Sequence, residues 1–131
     1  MEESVFTKII NGAIPCHKIY EDDQTIAFLD IHPVQPGMVL VVPKVQIANF
    51  YELGDSDYDA LWQSVKLVAA RLAAVYPHKK RIAVQVEGLD VPHVHVKIFP
   101  VSTGSEFHAR PDTNAEPDQQ ALAVEAERIR F

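Results

Sequence analysis

His93-Val94-His95-Val96-Lys97-Ile98-Phe99-Pro100 alternates imidazole or ammonium with aliphatic side chains at its start. Strict alternation is the mark of a half-buried strand, and successive side chains of a strand point to opposite faces. The spacing predicts a strand over Pro92 to Pro100, with His93, His95 and Lys97 on one face and Val94, Val96 and Ile98 in a core. Two imidazoles and an ammonium in one row suit a phosphate. Histidine near neutral pH can attack or donate a proton, and lysine holds a fixed positive charge. A plainer reading stands beside this one: His95 could be a core histidine satisfied by a backbone carbonyl.

Working outward, Arg81 to Glu87 reads as a second strand, with Gly88 in the turn between the two. Leu61, Val65, Val68, Leu72 and Val75 recur at helical spacing and Pro77 stops the run. The helix start is expected near Ser56, a candidate cap. Met38 to Val42 is nearly all apolar and predicts a buried strand. His17 to Glu21 and Thr25 to Asp30 read as short strands around the acidic turn Asp22-Asp23-Gln24. Val5 to Asn11 reads as a short helix closed by Gly12. The pattern is α+β: an antiparallel sheet of about five strands with helices on one side. Ser102 to Ala115 is polar and reads as irregular. Glu116 to Ile129 is either a weakly amphipathic helix or a partly ordered tail. The expected division is one domain over 1–105 and a C-terminal tail or helix over 106–131.

The chain of 131 residues is long enough for a core without covalent staples. The single cysteine, Cys16, excludes an intramolecular disulfide and fits a reducing, cytoplasmic setting. No stretch is apolar enough to span a bilayer, and the acidic Met1-Glu2-Glu3 start is unlike a signal peptide. The net charge of -6, with one basic cluster at Lys79-Lys80-Arg81, argues against a nucleic-acid partner. A small nucleotide in a local pocket stays compatible with it.

Several segments together resemble the histidine triad (HIT) nucleotide hydrolases and transferases. His93-Val94-His95-Val96-Lys97 is similar to their His-apolar-His-apolar-His signature. Val5-Phe6-Thr7-Lys8-Ile9-Ile10-Asn11-Gly12 with Ile14-Pro15 resembles their opening helix and turn. Ile19-Tyr20-Glu21-Asp22-Asp23, Ala27-Phe28-Leu29-Asp30-Ile31-His32-Pro33 and Pro36-Gly37 with Val39-Leu40-Val41-Val42-Pro43-Lys44 resemble their first strands, in the same order. The resemblance implies a HIT-like fold and gives the residues roles. His95 would be the nucleophile on the α-phosphate, forming a covalent nucleotidyl-imidazole. The carbonyl of His93 would orient its ring. Asp30 would hold the ribose hydroxyls, though a strand-end aspartate is its ordinary reading. Phe6, Ile9, Phe28 and Ile31, with Val5 beside them, would wall the base pocket, or simply belong to the core. His32 is given no chemistry. The resemblance also implies a homodimer in which the edge strand at Arg81 to Glu87 and the helix at Tyr58 to Tyr76 pair with their twins.

The departures bear on rate and substrate. Lys97 stands where the third histidine belongs, and a lysine of ordinary pKa is a poor proton shuttle at neutral pH. The transferase branch carries glutamine there, so a third imidazole is not required for the covalent chemistry. Gln85 replaces an asparagine near the phosphate, and Met38 replaces another histidine. The turn Gly88-Leu89-Asp90-Val91-Pro92 is short, and Asp90 brings negative charge to it. Some relatives bind structural zinc at positions matching Ser4, Thr7, Gln46 and His93. Only His93 is a zinc ligand here, and a structural site needs about four N or S ligands, so no metal and no cofactor is expected.

Two functional readings follow. One is a hydrolase of a purine nucleoside phosphoramidate, an adenylylated amine or a dinucleoside polyphosphate, acting through nucleotidyl-His95 with His93 and Lys97 in support. The other is a nucleotide-binding regulatory protein with little turnover. The partner in either case is a purine nucleotide or its conjugate, held by Phe6, Ile9, Phe28, Asp30, Ile31 and Gln85.

Overall fold

A computed structural model describes residues 2–131. Five strands form one sheet: β1 (Lys18–Glu21), β2 (Thr25–Leu29), β3 (Val39–Pro43), β4 (Arg81–Gln85) and β5 (Val96–Val101), in the order β1-β2-β3-β5-β4. Every neighbouring pair is antiparallel. Among the described residues, four α-helices accompany it: α1 (Val5–Ile10), α2 (Asp55–Val75), α3 (Gly104–His108) and α4 (Gln119–Ile129). The α+β class and the five-strand antiparallel sheet agree with the sequence pattern.

The alternation along the central strands sorts side chains to two faces. Ala27, Leu29, Val39, Val41, Val96 and Ile98 pack with Leu61, Val65, Val68 and Leu72 of α2 and with Leu122, Ala126 and Ile129 of α4. At about 25 cal/mol per Å² of apolar surface removed from water, this layer is the main source of stability. Ile26, Phe28, Leu40 and Val42 face the other way and pack on Phe6 of α1. The two long helices thus cover one face, while the short α1 lies on the opposite one.

Local chemistry explains the turns. Asp22 Oδ1 accepts from the backbone N–H of Gln24 and of Thr25 and from the Thr25 hydroxyl, closing the β1–β2 turn. Gly37 has φ +82, and a Cβ there would lie 2.7 Å from the Tyr76 ring, so both the backbone and the packing require glycine. The helix α2 starts one residue before Ser56, with Gly54 at the cap position and no side-chain cap bond. The Ser56 hydroxyl instead accepts from the Gln24 side-chain amide. Asp55 and Asp57 supply negative charge at the positive end of α2.

The region downstream of Val101 is more regular than its polarity suggests. Thr103 caps α3 by accepting from Glu106 N–H, and Phe107 stacks on Phe99 with ring centroids 5.8 Å apart. Asp118 caps α4 by accepting from Ala121 N–H. Arg71 closes the other end of α4, donating to the carbonyls of Ile129 and Arg128. Among the described residues no helix is long and apolar enough to cross a membrane.

Candidate functional site

The ladder of β5 begins at Val96, not at Pro92. The preceding backbone bonds elsewhere: His93 N–H donates to Val91 O and Val94 N–H to Ile47 O, both at 2.8 Å. Pro92 has no N–H to offer a ladder. The carbonyl of Pro43, at the end of β3, accepts from the His93 ring at 2.8 Å. His93 and His95 therefore precede the strand, but both still turn to the α1 face. Phe6 meets each ring edge-on, with centroids 5.8 Å from His93 and 4.8 Å from His95. On the other side of the turn, β4 ends at Gln85, so Val86 and Glu87 lie outside the strand expected for them.

His95 is buried, and its Nδ1 lies 2.8 Å from the His93 carbonyl oxygen. A carbonyl only accepts, so Nδ1 carries the proton. Burial is the largest influence on the ring and pushes its pKa below the ordinary value. The bond to His93 opposes that shift, the Lys97 charge adds to it, and Glu87 and Asp30 oppose it. The ring is thus neutral at neutral pH, and its Nε2 presents a lone pair with no protein partner among the described residues. His93 is also held below the ordinary value, first by burial.

His95 opens into a cavity of about 350 Å³. Phe6, Ile9, Phe28 and Ile31 supply apolar wall, and Asp30 and Lys97 supply charge to the same cavity. Val5 joins them. Asp30 Oδ1 accepts from His32 N–H at 2.8 Å, which fixes the carboxylate at the end of β2. Gln85 pairs opposite Lys97 in the β4–β5 register but is exposed and does not line the cavity. A larger depression of about 480 Å³ between β1 and the C-terminus contains no histidine, and its Glu21 is paired with Lys18 and Lys44.

Several lining groups were not singled out by sequence reasoning. Glu87 lines the cavity beside the flagged Asp90. Pro111 and Thr113 arrive from the segment between α3 and α4. His32, given no chemistry, tethers that segment by donating from Nε2 to Ala115 O at 3.2 Å. Nothing in the local sequence signals these contacts, since each depends on where a distant segment packs. By contrast, the four positions Ser4, Thr7, Gln46 and His93 do come together. Ser4 Oγ lies 2.7 Å from His93 Nδ1, and Thr7 Oγ1 lies 2.6 Å from Gln46 Oε1. Two hydroxyls, an amide and one imidazole interlock there by hydrogen bonds.

Comparison with known proteins agrees with this architecture. The HIT domain family model matches residues 11–104. The adenosine 5'-monophosphoramidase of Schizosaccharomyces pombe is 38% identical over 100 residues, covering 73% of this chain and 72% of that protein. The protein hit of Bacillus subtilis is 35% identical over 123 residues, covering 88% and 83%. The crystal structure of a Hit-like protein involved in cell-cycle regulation from Bartonella henselae superposes with a TM-score of 0.83 at 28% identity, covering 98% of this chain and 95% of that one. On these grounds the chain belongs to the HIT domain family.

Proposed function

We propose that this protein binds a purine nucleotide conjugate in the cavity beside α1 and hydrolyses it through a nucleotidyl-His95 intermediate. The observation that carries the reading is the orientation of the buried His95 ring. Its Nδ1–H is held by the His93 carbonyl, and its Nε2 lone pair is left for the cavity. His95 Nε2 attacks the α-phosphorus, and the bond from phosphorus to the leaving group breaks. That group departs and takes up a proton from solvent. Water then attacks phosphorus and gives up a proton to solvent, the P–Nε2 bond breaks with its electron pair returning to Nε2, and a nucleoside monophosphate leaves. Asp30 accepts hydrogen bonds from the ribose hydroxyls. Phe6, Ile9, Phe28 and Ile31 enclose the base. Lys97, at the third triad position, gives charge to the phosphate. Gln85 has no part in this reading, and neither has a metal or cofactor. The activity named for the fission-yeast relative supports the phosphoramidate class.

The test is His95→Ala assayed on a model adenosine phosphoramidate, with adenosine monophosphate binding measured in parallel. Turnover should fall by on the order of 10⁴-fold while binding changes little. An unchanged rate would sink the mechanism.

A second reading has its own observation. Glu87 and Asp90 line the cavity beside His95, and Lys97 is the only lysine among the described residues that line it. Two carboxylates repel a phosphate, and an ammonium does not replace the imidazole of the HIT signature as a proton shuttle. Both favour a nucleotide-binding protein with little turnover. Binding in the wild type without release of the leaving group would decide for it.

We further propose a two-fold dimer through β4 and α2. The outer edge of β1 is partly covered, because Phe131 N–H donates to Ile19 O and Arg130 Nε to Lys18 O. The β4 edge has no such cover among the described residues. Val84 beside it, and Tyr58 and Leu67 on α2, are exposed. An uncovered edge strand flanked by apolar side chains favours pairing with its twin.

A further inference from the structure

We propose that Ser4, Thr7 and Gln46 are positioning residues that fix the tautomer of His93 and, through it, the orientation of the His95 ring. The inference rests on the proposed role of His95 for its effect on rate, but its structural content stands without turnover.

The direction of each hydrogen bond is forced by a group that can only donate or only accept. Ser4 N–H only donates, and it lies 2.9 Å from Gln46 Oε1, so the oxygen of that amide must face α1. Gln46 Nε2 then donates to Glu2 O at 2.8 Å, which holds the amide the same way round. Thr7 Oγ1 must donate to Gln46 Oε1, at 2.6 Å, because that oxygen has no proton. At the other end, Pro43 O only accepts, so His93 Nε2 carries a proton. The buried neutral ring then has a bare lone pair on Nδ1. Ser4 Oγ, 2.7 Å away, must point its proton at that lone pair, since two lone pairs at this distance would repel. Ser4 Oγ accepts from Thr7 N–H at 3.0 Å, and of the two acceptors for its own proton, His93 Nδ1 at 2.7 Å is closer than Thr7 Oγ1 at 3.2 Å.

His93 is thereby gripped at both ring nitrogens, from α1 on one side and from the end of β3 on the other. This grip matters because His93 lies outside the sheet ladder. Its carbonyl, the acceptor for His95 Nδ1–H, is held by the Val94 N–H to Ile47 O bond of the same peptide group and, on the other side of the Cα, by the ring's grip on this stretch of backbone. Released from Ser4, the His93 ring could shift its proton to Nδ1 or turn away from Pro43. The carbonyl would then keep only the Val94–Ile47 backbone bond to hold it under His95. No residue of this relay other than His95 lines the cavity, so its influence is on orientation rather than on ligand contact.

The experiment pairs steady-state kinetics with ¹⁵N–¹H imidazole spectra of the full chain labelled at histidine. In the wild type His93 should show the proton on Nε2 and His95 the proton on Nδ1. Ser4→Ala should disturb the His93 signals and lower kcat about tenfold or more with KM little changed. Ser4→Thr, which keeps the hydroxyl, should restore both. Because Ser4 also caps α1, Gln46→Leu serves as a second variant that leaves the cap oxygen in place. It frees the Thr7 proton and should broaden or shift the His93 signals. Tautomers unchanged in Ser4→Ala and in Gln46→Leu would overturn the proposal. Tautomers that change while the wild type shows no hydrolysis would keep the relay and remove the hydrolase reading. Loss of activity in Ser4→Ala that Ser4→Thr does not rescue, with the spectra intact, would also overturn it.

Discussion

His95 carries a proton affinity set by opposing neighbours. Burial lowers it most, the His93 carbonyl raises it, Lys97 lowers it, and Glu87 and Asp30 raise it. In the proposed mechanism the neutral ring is the nucleophile, so activity should persist as pH falls through the ordinary imidazole value of 6.5. The acid limb of kcat/KM is expected below that value. Lys97→Met should move the limb up, because a like charge near the ring is gone, and Glu87→Gln should move it down. A limb at 6.5 or above in the wild type, or one that Lys97→Met leaves in place, would contradict this account of the ring. The residues of this site divide by how they were legible. His95, Asp30 and the apolar walls stand in continuous motifs and could be read in order. Glu87, Pro111 and Thr113 could not, because their place beside His95 follows from how the 86–95 turn and the 109–118 segment pack.

The elements show the same division. Hydrophobic spacing identified α2 and the apolar run identified β3, since both have a core face long enough for periodicity to show. The start of β5 was misplaced because His93-Val94-His95 keeps the alternation of a strand while its amides bond to Val91 and Ile47. Side-chain direction continued where the ladder did not. The helix α3 was missed although Thr103-Gly104-Ser105-Glu106 has the spacing of a capping box. Its carboxylate accepts from Ser102 N–H and pairs with Lys79 at 2.8 Å, so polar capping and the Phe107–Phe99 stack replace a long apolar face. Gln119–Ile129 proved helical because Leu122, Ala126 and Ile129 reach the common core, a contact that a weak amphipathic pattern understates.

At the scale of the whole molecule, the sheet separates two tasks. One face, under α2 and α4, carries the larger core, and the other carries α1 and the cavity. The proposed dimer uses a third surface, the β4 edge with α2. Sedimentation at micromolar concentration should show twice the mass of the chain, and Val84→Lys on the exposed edge should shift it toward one. A wild-type monomer at that concentration would rule the dimer out. The proposed covalent step at His95 can be trapped directly. The protein should be mixed with an adenosine phosphoramidate, quenched in alkaline denaturant within the first turnover, and weighed intact and after digestion. A mass gain of one adenylyl group is expected, mapped to His95 and absent from His95→Ala. Hydrolysis proceeding with no adduct on His95 at any quench time would contradict it.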